Sequence, residues 1–187
     1  MLKFKIVENF PFPLKKVFEF AASNFEGLEE HIPNVKRIRV LKKEKLDENR
    51  EKWTVLFHGA GPIPMLARPI VRPYMLRWKE EMIFDFDKLT VEWNVQPFHF
   101  REHFQCRGIT HCREENNGAS RIEVVGSLAI TLNRLMGLPD SATTAAAQII
   151  ERFIGGLIEP NLRRYYHALR EMMNEEQRAP AESAESA

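Results

Sequence analysis

The chain of 187 residues is long enough to bury the core of one domain without support from a metal or a disulfide. Apolar residues make up 44% and charged residues 28%, a globular balance that excludes a largely disordered chain. Lysine and arginine number 27 against 26 acidic residues, so the net charge of +1 creates no broad field for nucleic acid or an anionic membrane. We therefore expect no nucleic-acid partner.

The sequence carries no pattern of export or of a membrane span. Its first ten residues alternate apolar and polar side chains where a secretory signal has an unbroken apolar stretch. No run of about 18 apolar residues occurs, and we expect a cytoplasmic protein. Cys106 and Cys112 lie in one predicted strand, roughly 20 Å apart, which is too far for a disulfide between them.

The N-terminal part predicts one strand followed by two helices. Ile6 and Phe10 lie in a stretch of alternating apolar and polar residues, which is typical of a half-buried strand. Pro13 suits the first turn of a helix in which apolar residues recur at three- and four-residue spacing. These apolar residues are Leu14, Val17, Phe18, Ala21 and Ala22. A short second helix over 26–31 ends before Pro33.

The middle of the chain predicts a meander of six strands. Turn-forming residues at 47–49, 87–88 and 116–118 separate several of them. With the N-terminal strand, the antiparallel sheet has about seven strands, and the usual twist between neighbours makes it curl. The six predicted strands are 35–46, 51–59, 75–86, 89–96, 98–113 and 121–132.

The C-terminal part predicts a long helix with an interruption. Asp140 or Ser141 can cap the start of this helix, and an apolar stripe continues far beyond it. Gly155, Gly156 and Pro160 weaken the backbone hydrogen bonds near its centre, so we expect a kink or two abutting helices.

The chain is predicted to form a single domain over residues 1–175, since neither a repeat nor an interdomain linker is visible. Residues 176–187 are mostly small, polar or acidic, which predicts a disordered tail.

The order of these elements resembles the START-related, or SRPBCC, helix-grip superfamily. Residues 10–23, FPFPLKKVFEFAAS, resemble the end of its first strand and its first helix, and residues 30–44, EHIPNVKRIRVLKKE, resemble the proline-marked start of its second strand. The resemblance covers roughly residues 2–174. It implies an α+β fold in which a curved antiparallel sheet surrounds a long C-terminal helix and leaves a cavity. Members use this cavity for lipids, sterols, quinones, plant hormones or polyketide cyclisation and dehydration, so the resemblance leaves the ligand open.

Apolar and aromatic residues share one parity along predicted strands four to six and define one face of the sheet. A packed core alone explains this alternation, whereas the resemblance implies that some of the side chains line a cavity. The walls expected from this face and from the terminal helix are Trp78, Met82, Trp93, Phe100, Phe104, Phe153 and Leu157.

Three glutamates interrupt the apolar parity: Glu80, Glu102 and, in the first strand, Glu8. A buried carboxylate must be paired, hydrogen-bonded or protonated, because isolated burial of its charge costs several kcal/mol. Burial raises the pKa of such a group, and a second carboxylate raises it further, which suits acid/base chemistry. Glu80 and Glu102 are therefore candidates for ligand orientation or catalysis. A β-bulge, or a position at an open rim, would instead leave these glutamates solvated.

Residues 59–74 form a proline-rich segment with more apolar side chains than a solvated loop carries. This segment can cover a sheet edge, close the cavity, touch a membrane or dock a partner. Arg68, Arg72 and Arg77 are clustered here, either as ordinary solvated charge or as groups that flank a cavity mouth and meet a lipid phosphate.

We expect no metal and no cofactor. Neighbouring histidines among His99, His103 and His111 lie about 13 Å or more apart along a strand, too far to share one zinc ion. The chain also lacks a dinucleotide fingerprint, a phosphate-binding loop and a nucleophile elbow.

The leading hypothesis is the binding or transport of a hydrophobic or amphipathic small molecule, such as a lipid, quinone, sterol or polyketide-like compound. The alternative is a cyclase or dehydratase that uses Glu80 or Glu102 as its acid or base. A third hypothesis is a protein-interaction module that docks a partner through residues 59–74. Transient contact with a membrane stays open, and the sequence names no protein partner.

Overall fold

The computed structural model describes residues 1–63, 65, 68, 71–131 and 140–185. Within these residues, seven strands form one antiparallel sheet. The strands are β1 (Leu2–Phe10), β2 (Val35–Lys45), β3 (Arg50–Gly59), β4 (Arg77–Asp85), β5 (Thr90–Pro97), β6 (Phe104–Glu114) and β7 (Ser120–Ile130). Their order across the sheet is β1-β7-β6-β5-β4-β3-β2, which confirms the predicted meander from β2 to β7.

Two helical elements connect β1 to β2. The helix α1 (Leu14–Ser23) buries its predicted apolar face, and a 3-10 helix, Glu26–His31, follows it. This 3-10 helix covers part of the edge strand β2, because carboxylate oxygens of Glu29 and Glu26 accept hydrogen bonds from the backbone N–H of Ile38 and Val40, both at 2.6 Å. One predicted role of residues 59–74 was to cover a sheet edge. At β2 the 3-10 helix Glu26–His31 covers the edge instead.

The C-terminal helix α2 (Asp140–Glu185) is 46 residues long and packs against the sheet. It is a single helix rather than two abutting ones. At Gly155 the helix lies close to β1, because a Cβ there would stand only 3.1 Å from the side chain of Leu2. The helix runs through good helix formers such as Glu175, Glu176, Gln177 and Arg178, and the tail expected at the end of the chain stays a prediction.

The sixth strand begins later than the sequence predicts. Phe100 adopts a left-handed backbone conformation with φ of 60°, and Arg101–His103 form a 3-10 turn. Strand geometry starts only at Phe104, so the parity assigned to residues 98–103 does not apply. This turn removes Glu102 from the inner face of the sheet.

The described part of residues 59–74 packs against α2. Ile63 is buried with Ile150, while the backbone N–H of Ala60 donates to the carbonyl of Asn34 at 2.9 Å. Positions 64, 66, 67, 69 and 70 lie outside the described residues. The segment therefore meets α2 at the end of the sheet where β3 ends and β4 begins.

Both cysteines are free and buried, in agreement with the spacing that excludes a disulfide between them. Among the described helices, none is both long and apolar enough to cross a membrane.

Candidate functional site

The concave face of the sheet and helix α2 enclose an apolar cavity of about 430 Å³. Strands β4 to β7 contribute most of the sheet side, and α2 contributes the opposite side. The cavity exists because this face carries apolar side chains in the period-two pattern of a half-buried strand, while the curvature of the sheet holds α2 away from its centre.

The register of the strands arranges the cavity wall in lateral rows. One row contains Glu80, Val95 and Cys106 side by side on β4, β5 and β6. The neighbouring row lies closer to residues 59–74. It begins with Phe57 and Trp78, whose rings stack with 5.2 Å between their centroids. These rows place a single carboxyl group between aromatic and aliphatic neighbours.

The next row is built around Trp93, whose indole lies over two glycines. A Cβ on Gly108 or Gly126 would collide with this ring, and Phe4 stacks on its far side at 6.0 Å. Only glycine leaves the backbone of β6 and β7 free for such a close approach. The two glycines thus create the space that fixes Trp93 in the cavity wall.

Glu80 is the one acidic side chain among the described residues that line the cavity. Glu80 is half-buried and lies on the same face of β4 as Trp78 and Met82. Burial raises the pKa of Glu80 to about 7, although a hydrogen bond from the Trp78 side chain opposes the rise by stabilising the carboxylate. Glu80 is therefore poised to gain or lose a proton near neutral pH, inside an apolar space.

Other polar groups lie within electrostatic range of Glu80. Burial, and secondarily the charge of Glu80, raises the pKa of the Cys106 thiol to about 12 and also raises the pKa of the Tyr165 phenol. Burial likewise raises the pKa of Tyr166, which is hydrogen-bonded to Thr110. All of these neighbours stay uncharged at neutral pH, so they offer hydrogen-bonding groups and no nucleophilic thiolate.

A second set of polar residues lines the cavity at the end near residues 59–74. Asn34 donates from its side-chain amide to the side-chain oxygen of Asn161 on α2 at 3.1 Å, which joins the start of β2 to the helix. Arg77, His99 and His103 lie on the opposite side of this end. We call this end the mouth of the cavity.

The structure brings all seven sequence-predicted wall residues together. The residues that line the cavity are Trp78, Met82, Trp93, Phe100, Phe104, Phe153 and Leu157. Glu80 lies among them. Glu102 does not, because it is exposed on the Arg101–His103 turn and contributes nothing to the lining.

Glu8 faces α2, where two arginines neutralise it. Its two carboxylate oxygens bind Arg163 at 2.9 Å and Arg170 at 3.1 Å, and its side chain is only 14% exposed. Of the possibilities that the sequence left open for a buried Glu8, the structure shows ion pairing, with Arg163 and Arg170. Glu8 does not line the cavity.

Sequence reasoning missed the polar groups of the cavity, namely Asn34, Thr110, Asn161, Tyr165 and Tyr166. Tyr165 belongs to the apolar stripe of the terminal helix, and nothing in the sequence pattern indicated that its hydroxyl would lie at the cavity. Asn34 and Asn161 lie 127 positions apart, and no local pattern connects them.

No metal site accompanies the cavity. Across the described ranges, no three His, Cys, Asp or Glu side chains are close enough together to hold a metal ion. A shallow open depression on the outer face of the sheet has mixed charges, including the Lys52–Glu81 ion pair at 3.1 Å, and lacks an enclosed apolar wall.

No protein-family model and no curated protein sequence matches the chain. Solved structures do. The aromatase/cyclase ZhuI from Streptomyces sp. R1128 is 12% identical, with a TM-score of 0.63 over 92% of this chain and 95% of that chain. The di-domain ARO/CYC StfQ from the steffimycin biosynthetic pathway is 13% identical, with a TM-score of 0.51 over 94% of this chain and 47% of that one. Ara h 8.0201 is 15% identical, with a TM-score of 0.48 over 90% and 97%.

At these identities the similarity establishes the fold and leaves the activity open. The sheet order, the helices after β1 and the long terminal helix across the concave face agree with the expectation from the sequence. The chain therefore shares the fold of ZhuI and of the StfQ structure, a seven-stranded antiparallel sheet with a long C-terminal helix packed on it, as the resemblance in the sequence implied.

Proposed function

We propose that the protein binds a hydrophobic or amphipathic small molecule in the cavity between the sheet and α2, and that Glu80 orients the polar group of that molecule. The observation that carries this proposal is one carboxyl group enclosed by apolar walls. A volume of about 430 Å³ falls within the range of small-molecule sites. Lipids, sterols, quinones and polyketide-like compounds are the candidate classes.

The chemistry of Glu80 limits the polar group of the ligand. With a pKa of about 7, the carboxyl is present in both protonation states at neutral pH. The protonated form donates a hydrogen bond to a carbonyl, while the ionised form accepts one from a hydroxyl or an amine. An anionic group beside Glu80 is disfavoured, because two like charges in an apolar space repel strongly. Glu102 has no part in this proposal, since it lies outside the lining.

The described part of residues 59–74 supports a role in covering the cavity. Ile63 packs on Ile150 of α2, and Val71, Met75 and Leu76 line the mouth. Met65 and Tyr74 of the same segment stay exposed, at 77% and 63%, so the segment by itself does not decide between the hypotheses. We favour a small-molecule site over a protein-interaction module because a cavity with one carboxyl group among apolar walls suits a small ligand.

Native mass spectrometry of freshly purified protein tests the proposal. We expect a bound small molecule, or binding on incubation with a panel of fatty acids, sterols, quinones and aromatic polyketide-like compounds. Val95→Trp, which fills the cavity beside Glu80, should abolish this binding. Asn94→Trp is the matched control, because it adds the same ring to the outer face of the same strand. A ligand-free protein that also excludes the whole panel would overturn the proposal.

The second candidate function is proton-transfer catalysis of the cyclase or dehydratase type. The observation that favours it is the raised pKa of Glu80, since a general acid or base works best near the ambient pH. ZhuI, a structurally similar protein, is an aromatase/cyclase, which adds an analogy at the level of the fold. In this scheme Glu80 removes a proton next to a ketone, or donates one to a departing hydroxyl.

Turnover of poly-β-ketone model substrates separates this candidate from simple binding. We expect wild-type turnover to change with an apparent pKa near 7, and Glu80→Gln to lose about 100-fold or more in kcat. If Glu80→Gln retains full turnover, Glu80 is not the acid or base. If the wild-type protein binds these substrates unchanged, the carrier function is favoured.

A further inference from the structure

A cluster of positive charge lies on the outer face of the sheet at the mouth end. It consists of Lys36, Arg37, Arg39, Arg77 and Lys79, and we call it the basic patch. The strand register explains the cluster: Arg37 and Arg77 flank His58 in one row, and Arg39 and Lys79 flank Leu56 in the next. None of the five cations forms an ion pair with another described residue. The charge is therefore concentrated although the net charge of the chain is only +1.

The pKa of His58 is lowered by burial and by the positive charges of this patch. Burial lowers the pKa of His58, and Arg77, Arg37, Lys36 and Arg39 lower it further by repulsion. Its Nε2 atom is buried without a hydrogen-bond partner. His58 therefore stays neutral between the guanidinium groups of Arg37 and Arg77, and the charge of the patch comes from its lysines and arginines.

Exposed aromatic rings accompany the cations at the rim of the mouth. Phe98 is 49% exposed, with the guanidinium of Arg77 at 5.3 Å and the ammonium of Lys79 at 5.7 Å from its ring centre. Tyr74 is 63% exposed and packs edge-on against His99, which lines the cavity. The basic patch therefore continues directly into the opening of the cavity.

We propose that the basic patch, together with Phe98 and Tyr74, docks the mouth of the cavity onto an anionic lipid surface. Cations bind the phosphate groups of such a surface, and aromatic rings insert at the level of the headgroups. An acidic protein would also match the charge. The lipid surface is favoured because the exposed rings stand next to the opening, where a hydrophobic molecule could pass without crossing water. This preference rests on the proposed function of the cavity.

Vesicle flotation tests the docking surface directly. Phosphatidylcholine vesicles with about 30% phosphatidylserine should bind the wild-type protein at low ionic strength, and pure phosphatidylcholine vesicles should bind it far less. The triple variant Arg37→Glu, Arg39→Glu, Lys79→Glu should lose about 100-fold or more in affinity for the anionic vesicles. These three residues lie outside the cavity lining, so the variant leaves the ligand site intact.

A matched variant controls for net charge. Lys45→Glu, Arg113→Glu, Arg164→Glu makes the same change in charge at exposed residues outside the patch, and it should bind anionic vesicles far better than the patch variant does. Phe98→Ser should lose about tenfold on the same vesicles, because ring insertion adds to the charge attraction. A soluble polyanion such as heparin should show little effect of Phe98→Ser.

Three outcomes overturn the docking surface: no binding to anionic vesicles, equal binding by the patch and control variants, or Phe98→Ser binding as well as wild type. Binding to heparin alone counts against it and indicates an acidic partner. The cavity is assayed separately, in vesicle-free solution, by native mass spectrometry. A protein that binds vesicles through the patch but holds no small molecule contradicts the proposed function and leaves the docking surface in place.

Discussion

Glu80 gains its properties from its position between two apolar neighbours in a sheet row. The side chain cannot turn to solvent, because it lies on the concave face with Val55 and Val95 on the adjoining strands. The hydrogen bond from the Trp78 side chain compensates only part of the lost hydration. A carboxyl in such a place has a cost for folding whenever it is ionised, which makes Glu80 a candidate for ligand binding or chemistry.

The pH dependence of stability follows from the raised pKa. The folded protein holds the proton of Glu80 up to a pKa of about 7, whereas the unfolded chain releases it near 4.5. The folded state therefore binds more protons in this interval, and its free energy of unfolding falls as the pH rises from about 4.5 to about 7 and then levels off. Glu80→Gln removes this fall, so it should be more stable than wild type by about 3 kcal/mol near pH 8 and by less than about 1 kcal/mol near pH 5.

Urea unfolding of the ligand-free protein at the two pH values measures this difference. Glu81→Gln on the same strand is the control, because Glu81 lies on the outer face paired with Lys52 and should show no such gain. A Glu80→Gln variant with the same stability as wild type at both pH values would mean that water hydrates the carboxyl in the folded protein.

The alternating pattern of β4 was enough to place Glu80 on the inner face, and the same reasoning failed for Glu102. Both glutamates share the parity of apolar neighbours in the sequence. The difference is the left-handed conformation of Phe100, which starts a turn and ends the alternation. Glycine and asparagine are the residues that favour this conformation, and position 100 is a phenylalanine, so the sequence pattern could not predict the turn.

At the scale of elements, the contact between β1 and α2 is fastened by Glu8 with Arg163 and Arg170. These residues join the first strand to a helix more than 150 positions away in the chain. Arg163 also pairs with Glu159 one helical turn earlier, at 2.9 Å, where both side chains are about half exposed. The same guanidinium thus takes part in one enclosed and one exposed ion pair.

The two ion pairs should differ in their effect on stability. Glu8→Gln weakens charge-assisted hydrogen bonds to two arginines in a partly buried place, and it should lower the free energy of unfolding by about 1 to 2 kcal/mol. Glu159→Gln should lower it by about 0.5 kcal/mol or less, because solvent screens the exposed pair. Chemical denaturation in urea at low salt measures both. Equal losses for the two variants would contradict the role of Glu8 as the fastening residue.

The sequence predicted the type of each main element, because strong alternation and helical spacing carry that information. It did not predict the single continuous helix, since Gly155 and Pro160 both argue locally for a break. At Gly155 the helix passes close to the side chain of Leu2, a contact that a glycine accommodates readily.

At the scale of the whole molecule, two features arise only from the assembled sheet. The cavity combines residues from all seven strands and from both helices α1 and α2, and the basic patch joins cations on β2 and β4. Composition gave a net charge of +1, from which we expected no field for an anionic membrane. The register places cations of β2 and β4 in neighbouring rows of the sheet, which the composition alone does not reveal.

Two of the three tryptophans, Trp78 and Trp93, line the cavity and report directly on its contents. Trp53 packs in the core against Phe25 and Phe84 and serves as an internal reference. The most direct test of the cavity is therefore quenching of tryptophan fluorescence by brominated hydrophobic probes, one with an acyl chain and one built on naphthol. Bromine quenches only at close contact, so a probe inside the cavity should reduce part of the emission.

We expect saturable, incomplete quenching of the tryptophan fluorescence at one equivalent of at least one probe. Non-brominated analogues should quench little, and Val95→Phe should weaken the effect by filling the space beside Glu80. Emission that falls only in proportion to probe concentration, without saturation and equally in Val95→Phe, would contradict the claim that this cavity binds hydrophobic small molecules.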